Sequence, residues 1–226
     1  MSLFSYGKKL LKSYPWLTRA AAVGFNFFSF NRFKVKRGNK IKIGTSFLKK
    51  CRIKVKGKNN EIIFGDKCYL DRCTVSIVGN NNKIILGDSV CMHECGLCLE
   101  NDGGTIFVGD KTLVCGPTHF SCIEGTKITV GADCLFSSDT LLRTGDSHSV
   151  LDMDGKRINP AEDICIGDRV WFGTRAMCMK GAALANDSIL SAGAILTKAI
   201  ETPNVVVAGV PAKIVKENVK WCRERI

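Results

Sequence analysis

One spacing constrains this chain more than any other feature: Ile62, Ile84, Ile106 and Ile128 recur every 22 residues. Phe64, Leu86, Val108 and Val130 repeat at the same interval, each followed by a glycine (Gly65, Gly87, Gly109 and Gly131). Asp66, Asp88 and Asp110 extend the match, Ala132 is the exception, and weaker copies lie at Ile41, Ile43 and Gly44 and at Ile164, Ile166, Gly167 and Asp168. A chain with one fixed period stacks like units and buries a continuous core between them. After Ile164 the period contracts to six: Ile166, Phe172, Cys178, Leu184, Leu190 and Leu196 hold one apolar position. Val170, Ala176, Ala182, Ser188 and Ala194 hold a second, small one. One inward residue and one tight corner per hexad describe a triangular coil of about 18 residues, and the longer period is that coil plus a corner loop. Gly79 to Asn82 and Asn101 to Gly104 carry the turn chemistry of such loops.

The pattern resembles the hexapeptide-repeat left-handed β-helix acyltransferase superfamily over about residues 38–212. The resemblance implies an all-β fold, a left-handed parallel β-helix, with a projecting loop where the repeat breaks at about 143–163. Residues 1–37 read as a basic helical segment, with Leu3, Leu10, Tyr14, Leu17, Ala21, Phe25 and Phe28 near helical spacing, able to cap the first coil. Residues 213–226 are expected to form a short C-terminal helix.

Composition suits an aliphatic core, with 45% apolar and 8% aromatic residues. No apolar run approaches the roughly 20 residues of a membrane span. The longest candidate, Ala20 to Phe30, is broken by Gly24, Asn26 and Ser29 and makes a poor secretory signal, so a cytoplasmic protein is expected. The twelve scattered cysteines read as reduced, small apolar residues. Charge is uneven: residues 1–60 hold sixteen Lys or Arg and no acid, leaving 17 basic against 21 acidic residues elsewhere. Such a block attracts polyanions, which leaves open an acidic glycan acceptor or a peripheral contact at the inner membrane surface; nucleic acid is not expected.

The break in the repeat holds His148 within Arg143-Thr-Gly-Asp-Ser-His-Ser-Val-Leu-Asp152. This stretch and Val170-Trp171-Phe172-Gly173 look closest to capsule, O-antigen and polysialic-acid O-acetyltransferases. The resemblance implies that His148 is the general base and that Trp171 positions acceptor and thioester, with Asp146 or Asp152 orienting the imidazole. An imidazole ordinarily titrates near neutral pH, which suits proton transfer from a hydroxyl to a departing thiolate. The resemblance also implies acetyl-CoA as co-substrate, along the late coils of a homotrimer. Ser191, Ala192 and Gly193 would admit pantetheine, Lys198 and Lys213 would meet the phosphates, and Gly209-x-Pro211-Ala-Lys213 marks the superfamily's ending.

Three alternatives accompany this reading: an N-acetyltransferase of a nucleotide-linked amino sugar, a small-molecule acetyltransferase, and a noncatalytic polyanion-binding module. His119 is a rival base; the 22-residue shift sets it over Leu97 and Val75, as a stacked core or interface histidine. His93 beside Cys91, Cys95 and Cys98 invites a zinc reading. Hexad register opposes it by placing Cys98 inward and Cys95 over Cys73, so no metal site is expected.

Overall fold

The computed structural model describes residues 15–224 and 226. Helix α1 (Pro15–Phe28) leads into eight stacked coils, each passing through three parallel sheets in turn. The first three coils are β1 (Arg32–Val35), β2 (Lys40–Ile43), β3 (Phe47–Lys49); β4 (Arg52–Lys56), β5 (Glu61–Phe64), β6 (Tyr69–Asp71); and β7 (Thr74–Val78), β8 (Lys83–Leu86), β9 (Cys91–His93). The fourth and fifth are β10 (Cys95–Glu100), β11 (Thr105–Val108), β12 (Leu113–Val114) and β13 (Thr118–Cys122), β14 (Lys127–Val130), β15 (Leu135–Phe136). The sixth is β16 (Thr140–Arg143), β17 (Ile164–Ile166) and β18 (Trp171–Phe172). The last two are β19 (Met177–Met179), β20 (Ala183–Leu184), β21 (Ile189–Leu190) and β22 (Ile195–Leu196), β23 (Ala199–Ile200), β24 (Val206–Gly209). A final strand, β25 (Ala212–Lys216), returns antiparallel to β24. This is the expected left-handed parallel β-helix.

The repeat residues explain themselves in the stack. Ile62, Ile84, Ile106 and Ile128 pair in register across β5, β8, β11 and β14 and point into the core. The following Gly-Asp turns the corner into the third sheet. Each aspartate accepts a backbone N–H from the coil below, as from Thr45 to Asp66, Asp66 to Asp88 and Asp88 to Asp110, each at 2.8 Å. A Cβ at Gly87 would lie 2.1 Å from the Asp110 carboxylate, so only glycine fits beneath that bond. At the preceding corner a second column does the same work: Asn39 accepts from Asn60, Asn60 from Asn82 and Asn82 from Gly104. The six-residue series is buried throughout, and Phe136 stacks on Phe172 at 4.4 Å. Burying each such ring contributes about 1.5–3 kcal/mol.

All twelve cysteines are free thiols. Cys51 and Cys73 occupy one corner on successive coils and donate to the carbonyls of Leu70 and Met92. Burial pushes the Cys134 thiol up to about 11, so it stays protonated.

Four expectations are corrected. The helical segment ends at Phe28, and the β-helix begins at Arg32 rather than at residue 38, because Phe30 turns left-handed (φ 55°) and the Arg-Phe-Lys-Val alternation that follows has a strand period. The part of that segment in residues 1–14, with Leu3, Leu10 and Tyr14, lies outside the described residues. The expected helix over 213–226 is instead β25 and an extended strap: Ala212 to Lys216 alternates with period two, and Asn218 (φ 57°) breaks any helix. The strap runs down the prism, with Trp221 donating to the Arg169 carbonyl (2.7 Å) and Arg223 pairing with Asp133 (2.9 Å). His119 faces outward, so of the two places open to it the core is excluded, because β10 and β13 are offset by one residue more than the repeat, gained at the Cys115 to Pro117 corner. Cys98 faces outward because β10 turns Cys95, Leu97 and Leu99 inward, out of the six-residue phase of Leu86 and Met92. His119 therefore lies over Gly96 and beside Leu141, and Cys98 beside Ser76 and Ser121.

Candidate active site

Between β16 and β17 the chain leaves the corner joining the first and second sheets and builds an arm over residues 144–163. Its base is closed by the Glu162 N–H on the Thr144 carbonyl (2.9 Å), with Thr144 buried and its hydroxyl accepting from the Ile123 amide (3.0 Å). Gly145 is required there, since a Cβ would lie 2.5 Å from Ile123. The arm is a small antiparallel hairpin, with Ile158 N–H on the Val150 carbonyl and Leu151 bridged to Arg157.

Asn159, almost fully buried, ties the two sides together. Its amide donates to Asp146 Oδ2 and to the His148 carbonyl, both at 2.8 Å, and its oxygen accepts from Val150 N–H (2.7 Å). Asp146 also pairs with Lys180 at 2.5 Å, and Glu124, from the coil below, pairs with Arg157 at 2.6 Å. Ser147, just before the histidine, adopts a left-handed φ of 64° and is held by Arg143. The backbone at His148 is thus fixed from two sides while its side chain is exposed. No described residue of the chain hydrogen-bonds the ring. Neither aspartate orients the imidazole directly: Asp146 acts on the backbone through Asn159, and Asp152 accepts the turn amides of Asp154 and Lys156.

The anchoring carboxylates set a pH limit. The Lys180 hydrogen bond, then that of Asn159, hold Asp146 below the usual carboxylate range, and the Arg157 hydrogen bond does the same for Glu124. Groups with lowered folded values contribute stability that is complete above their unfolded values, about 4, and is lost as pH falls through the folded ones. Acidification below about pH 4 is therefore expected to release the arm before the coils. In TROSY NMR the Val150 and Ile158 amides should lose dispersion there while Ile106 keeps its own; arm amides unchanged down to the acid unfolding of the coils would contradict the anchoring.

Trp171 begins β18 in the third sheet, opposite the arm's corner in the triangular section. It is 36% exposed, donates to Ser137 Oγ (3.4 Å) and sits 6.1 Å from the Trp221 ring of the strap. Beyond it, at the corner joining the third and first sheets, small residues stack coil on coil. Gly173 lies under Ser191 to Gly193, where a Cβ would meet the Ala192 nitrogen at 2.4 Å, and the β24–β25 turn through Gly209 and Pro211 lies above them. The Ser191 and Gly193 amides are already bonded to coil carbonyls, so a ligand there meets a smooth ridge. Lys213 is exposed on β25 beside this ridge, whereas Lys198, between β22 and β23, belongs to the arm's corner. The expected residues therefore fall into two separate groups: His148, Asp146 and Lys198 at the arm's corner, and Trp171 on the third sheet with Ser191, Ala192, Gly193, Gly209, Pro211 and Lys213 at or beside the corner beyond it.

A groove of about 470 Å³ on the first sheet's face holds His119, with Arg72, Glu94 and Thr140 among its walls. Desolvation where the ring covers Gly96, and the Arg143 charge, lower the pKa of His119 below the ordinary imidazole value. Cys95 points into the core and Cys98 into this groove, while His93 lies by Cys91 and Asp71 on the third sheet, so the zinc grouping diverges over different faces. Sequence reasoning missed Asn159, whose partners lie across the arm's own hairpin, Lys180 and Glu124, which reach the arm from other coils, and Trp221, which lay in the expected helix.

No protein-family model matches the chain. Over 98 residues, 42% of the chain, it is 39% identical to a polysialic acid O-acetyltransferase of Escherichia coli O1:K1 / APEC, covering 31% of that protein. It is 32% identical over 102 residues to the polysialic acid O-acetyltransferase of Neisseria meningitidis, covering 47% of it. The matched stretch thus spans a third to a half of the length of these relatives. Among solved structures, the polysialic acid O-acetyltransferase OatWY superposes with a TM-score of 0.80 at 30% identity, over 87% of this chain and 92% of that one. With its repeat, its coils and this likeness in agreement, the chain belongs to the hexapeptide-repeat left-handed β-helix acyltransferases, the family of the polysialic acid O-acetyltransferases.

Proposed function

We propose that the chain is an acetyl-CoA-dependent O-acetyltransferase acting on a sugar or polysaccharide hydroxyl, with His148 as general base. The observation that carries this reading is the arm itself: a costly break in a regular solenoid, braced by Asn159, Asp146 and Glu124, whose exposed imidazole has no hydrogen-bond partner among the described residues. His148 takes the proton of an acceptor hydroxyl as its oxygen forms a bond to the acetyl carbonyl carbon. The carbon–sulfur bond then breaks, and the imidazolium returns the proton to the leaving thiolate. Trp171 and the small-residue ridge hold the thioester arm, and Lys213 meets its phosphates.

Because the two groups of residues lie apart on one prism, a complete site needs a second copy of the chain. Val150, Leu151, Met153 and Ile158 at the arm's tip are exposed apolar side chains, which an adjacent subunit would cover. A homotrimer joins the two groups three times. The test is an acetyl-CoA turnover screen against acidic and neutral oligosaccharides and amino sugars, read by mass. Acetylated glycan hydroxyls are the expected product; turnover only on amines would move the reading to N-acetylation, and none on any glycan or sugar would refute it.

A further inference from the structure

Helix α1 carries apolar side chains on both sides: Ala22 is buried and Phe25 packs edge-on against Phe47 at 5.4 Å, yet its outward side is apolar as well. Its polar Asn26 faces the prism, where the side chain donates to the Ser46 carbonyl (2.9 Å) and accepts from Leu48 N–H (2.7 Å), closing the first coil. Its outer side carries Val23, Phe27 and Phe28, and the turn after it carries Phe30; Phe27 and Phe30 are each 81% exposed. Between Arg19 and Arg32 there is no charged residue. A surface helix ordinarily turns its charged side to water.

The cations begin where the aromatic residues stop. In parallel register Arg32 pairs with Arg52 and Lys34 with Lys54, all exposed, with Lys36 and Lys56 at the strand ends. Stacked strands lie about 4.8 Å apart, so these like charges repel one another. None of the six takes part in an ion pair among the described residues.

We infer that this end of the prism docks on an anionic lipid bilayer, the phenylalanines entering the headgroup boundary and the cations meeting acidic headgroups. The combination favours lipid over the alternatives. A glycan would satisfy the lysines but offer the phenylalanines no apolar medium, and a second copy of the same end would set cation against cation. Docked this way, the His148 arm stands five coils up, about 24 Å from the surface. The inference is independent of the acetyl-transfer reading.

The test is co-sedimentation of the full chain with phosphatidylcholine vesicles containing about 30% phosphatidylglycerol, at low and high salt, beside pure phosphatidylcholine. Binding to the acidic vesicles that weakens in high salt is expected. Both Phe27→Ser with Phe30→Ser and Lys34→Gln with Lys54→Gln should weaken it by about tenfold or more, with unchanged circular dichroism. Phe27→Trp with Phe30→Trp should keep binding and shift its fluorescence to the blue on acidic vesicles, which tests the contact even if the serine pair misfolds. Failure to sediment with acidic vesicles overturns the inference. So does binding that ignores the phenylalanines and is competed away by acidic oligosaccharide, or self-association through them without lipid binding.

Discussion

His148→Ala is expected to lower kcat for acetyl transfer by about 10²–10⁴-fold while leaving coenzyme A affinity unchanged. The size follows from the role: a positioned base contributes that much when the attacking hydroxyl must lose its proton in the transition state. The unchanged affinity follows from geometry, because the ridge of Ser191 to Gly193 and the Gly209 to Pro211 turn lie on another corner from the arm. The fold should tolerate the change, since the ring touches no described residue by hydrogen bond and the backbone is held by Asn159 and Ser147. Steady-state turnover and calorimetric titration of coenzyme A separate the two effects. His119→Ala is the control: outward on the first sheet and in a different groove, it should keep most of the activity. Full activity in His148→Ala, or a comparable loss in His119→Ala alone, would assign the base elsewhere.

What the chain shows at the level of sequence is what repeats along it. The Ile-x-x-Gly-Asp unit announces the coils because each aspartate reaches only to the coil beneath it, a fixed interval away, and each glycine answers the same close approach. The six-residue series is readable for the same reason. Register was lost in two places. One residue entered the Cys115 to Pro117 corner, so that counting by 22 set His119 over Leu97 where strand pairing sets it over Gly96. At the earlier corner before Cys95, counting by six from Met92 sent Cys98 inward, where β10 turns Leu97 and Leu99 inward instead. The strap was misread as a helix because what holds it lies far away: Trp221 bonds 52 residues back and Arg223 bonds 90 and 112 residues back. Asn159 has no local signature at all. Its importance comes from sitting where Asp146, His148 and Val150 converge in a hairpin, and it could be found only by asking which buried amide satisfies both sides of the arm.

If the site forms between copies, two inactive variants should restore each other. His148→Ala retains Trp171 and Trp171→Ala retains the arm, so neither homotrimer has one complete site. In a closed three-fold ring each site takes its arm from one subunit and its ridge from the next. Random mixing of the two variants therefore gives an intact pairing at about one interface in four, and co-expression should return about a quarter of the unsubstituted rate. A site held within one chain returns nothing, because every chain then carries one lesion. The contrast is large because each lesion alone is severe, and it does not depend on which glycan accepts the acetyl group. Differently tagged chains, purified through both tags and assayed for thioester cleavage with an accepted glycan, supply the measurement. Residual activity no higher than that of the separate variants would place His148 and Trp171 in a single subunit's site, contrary to the topology that sets one at a corner and the other on the sheet facing it.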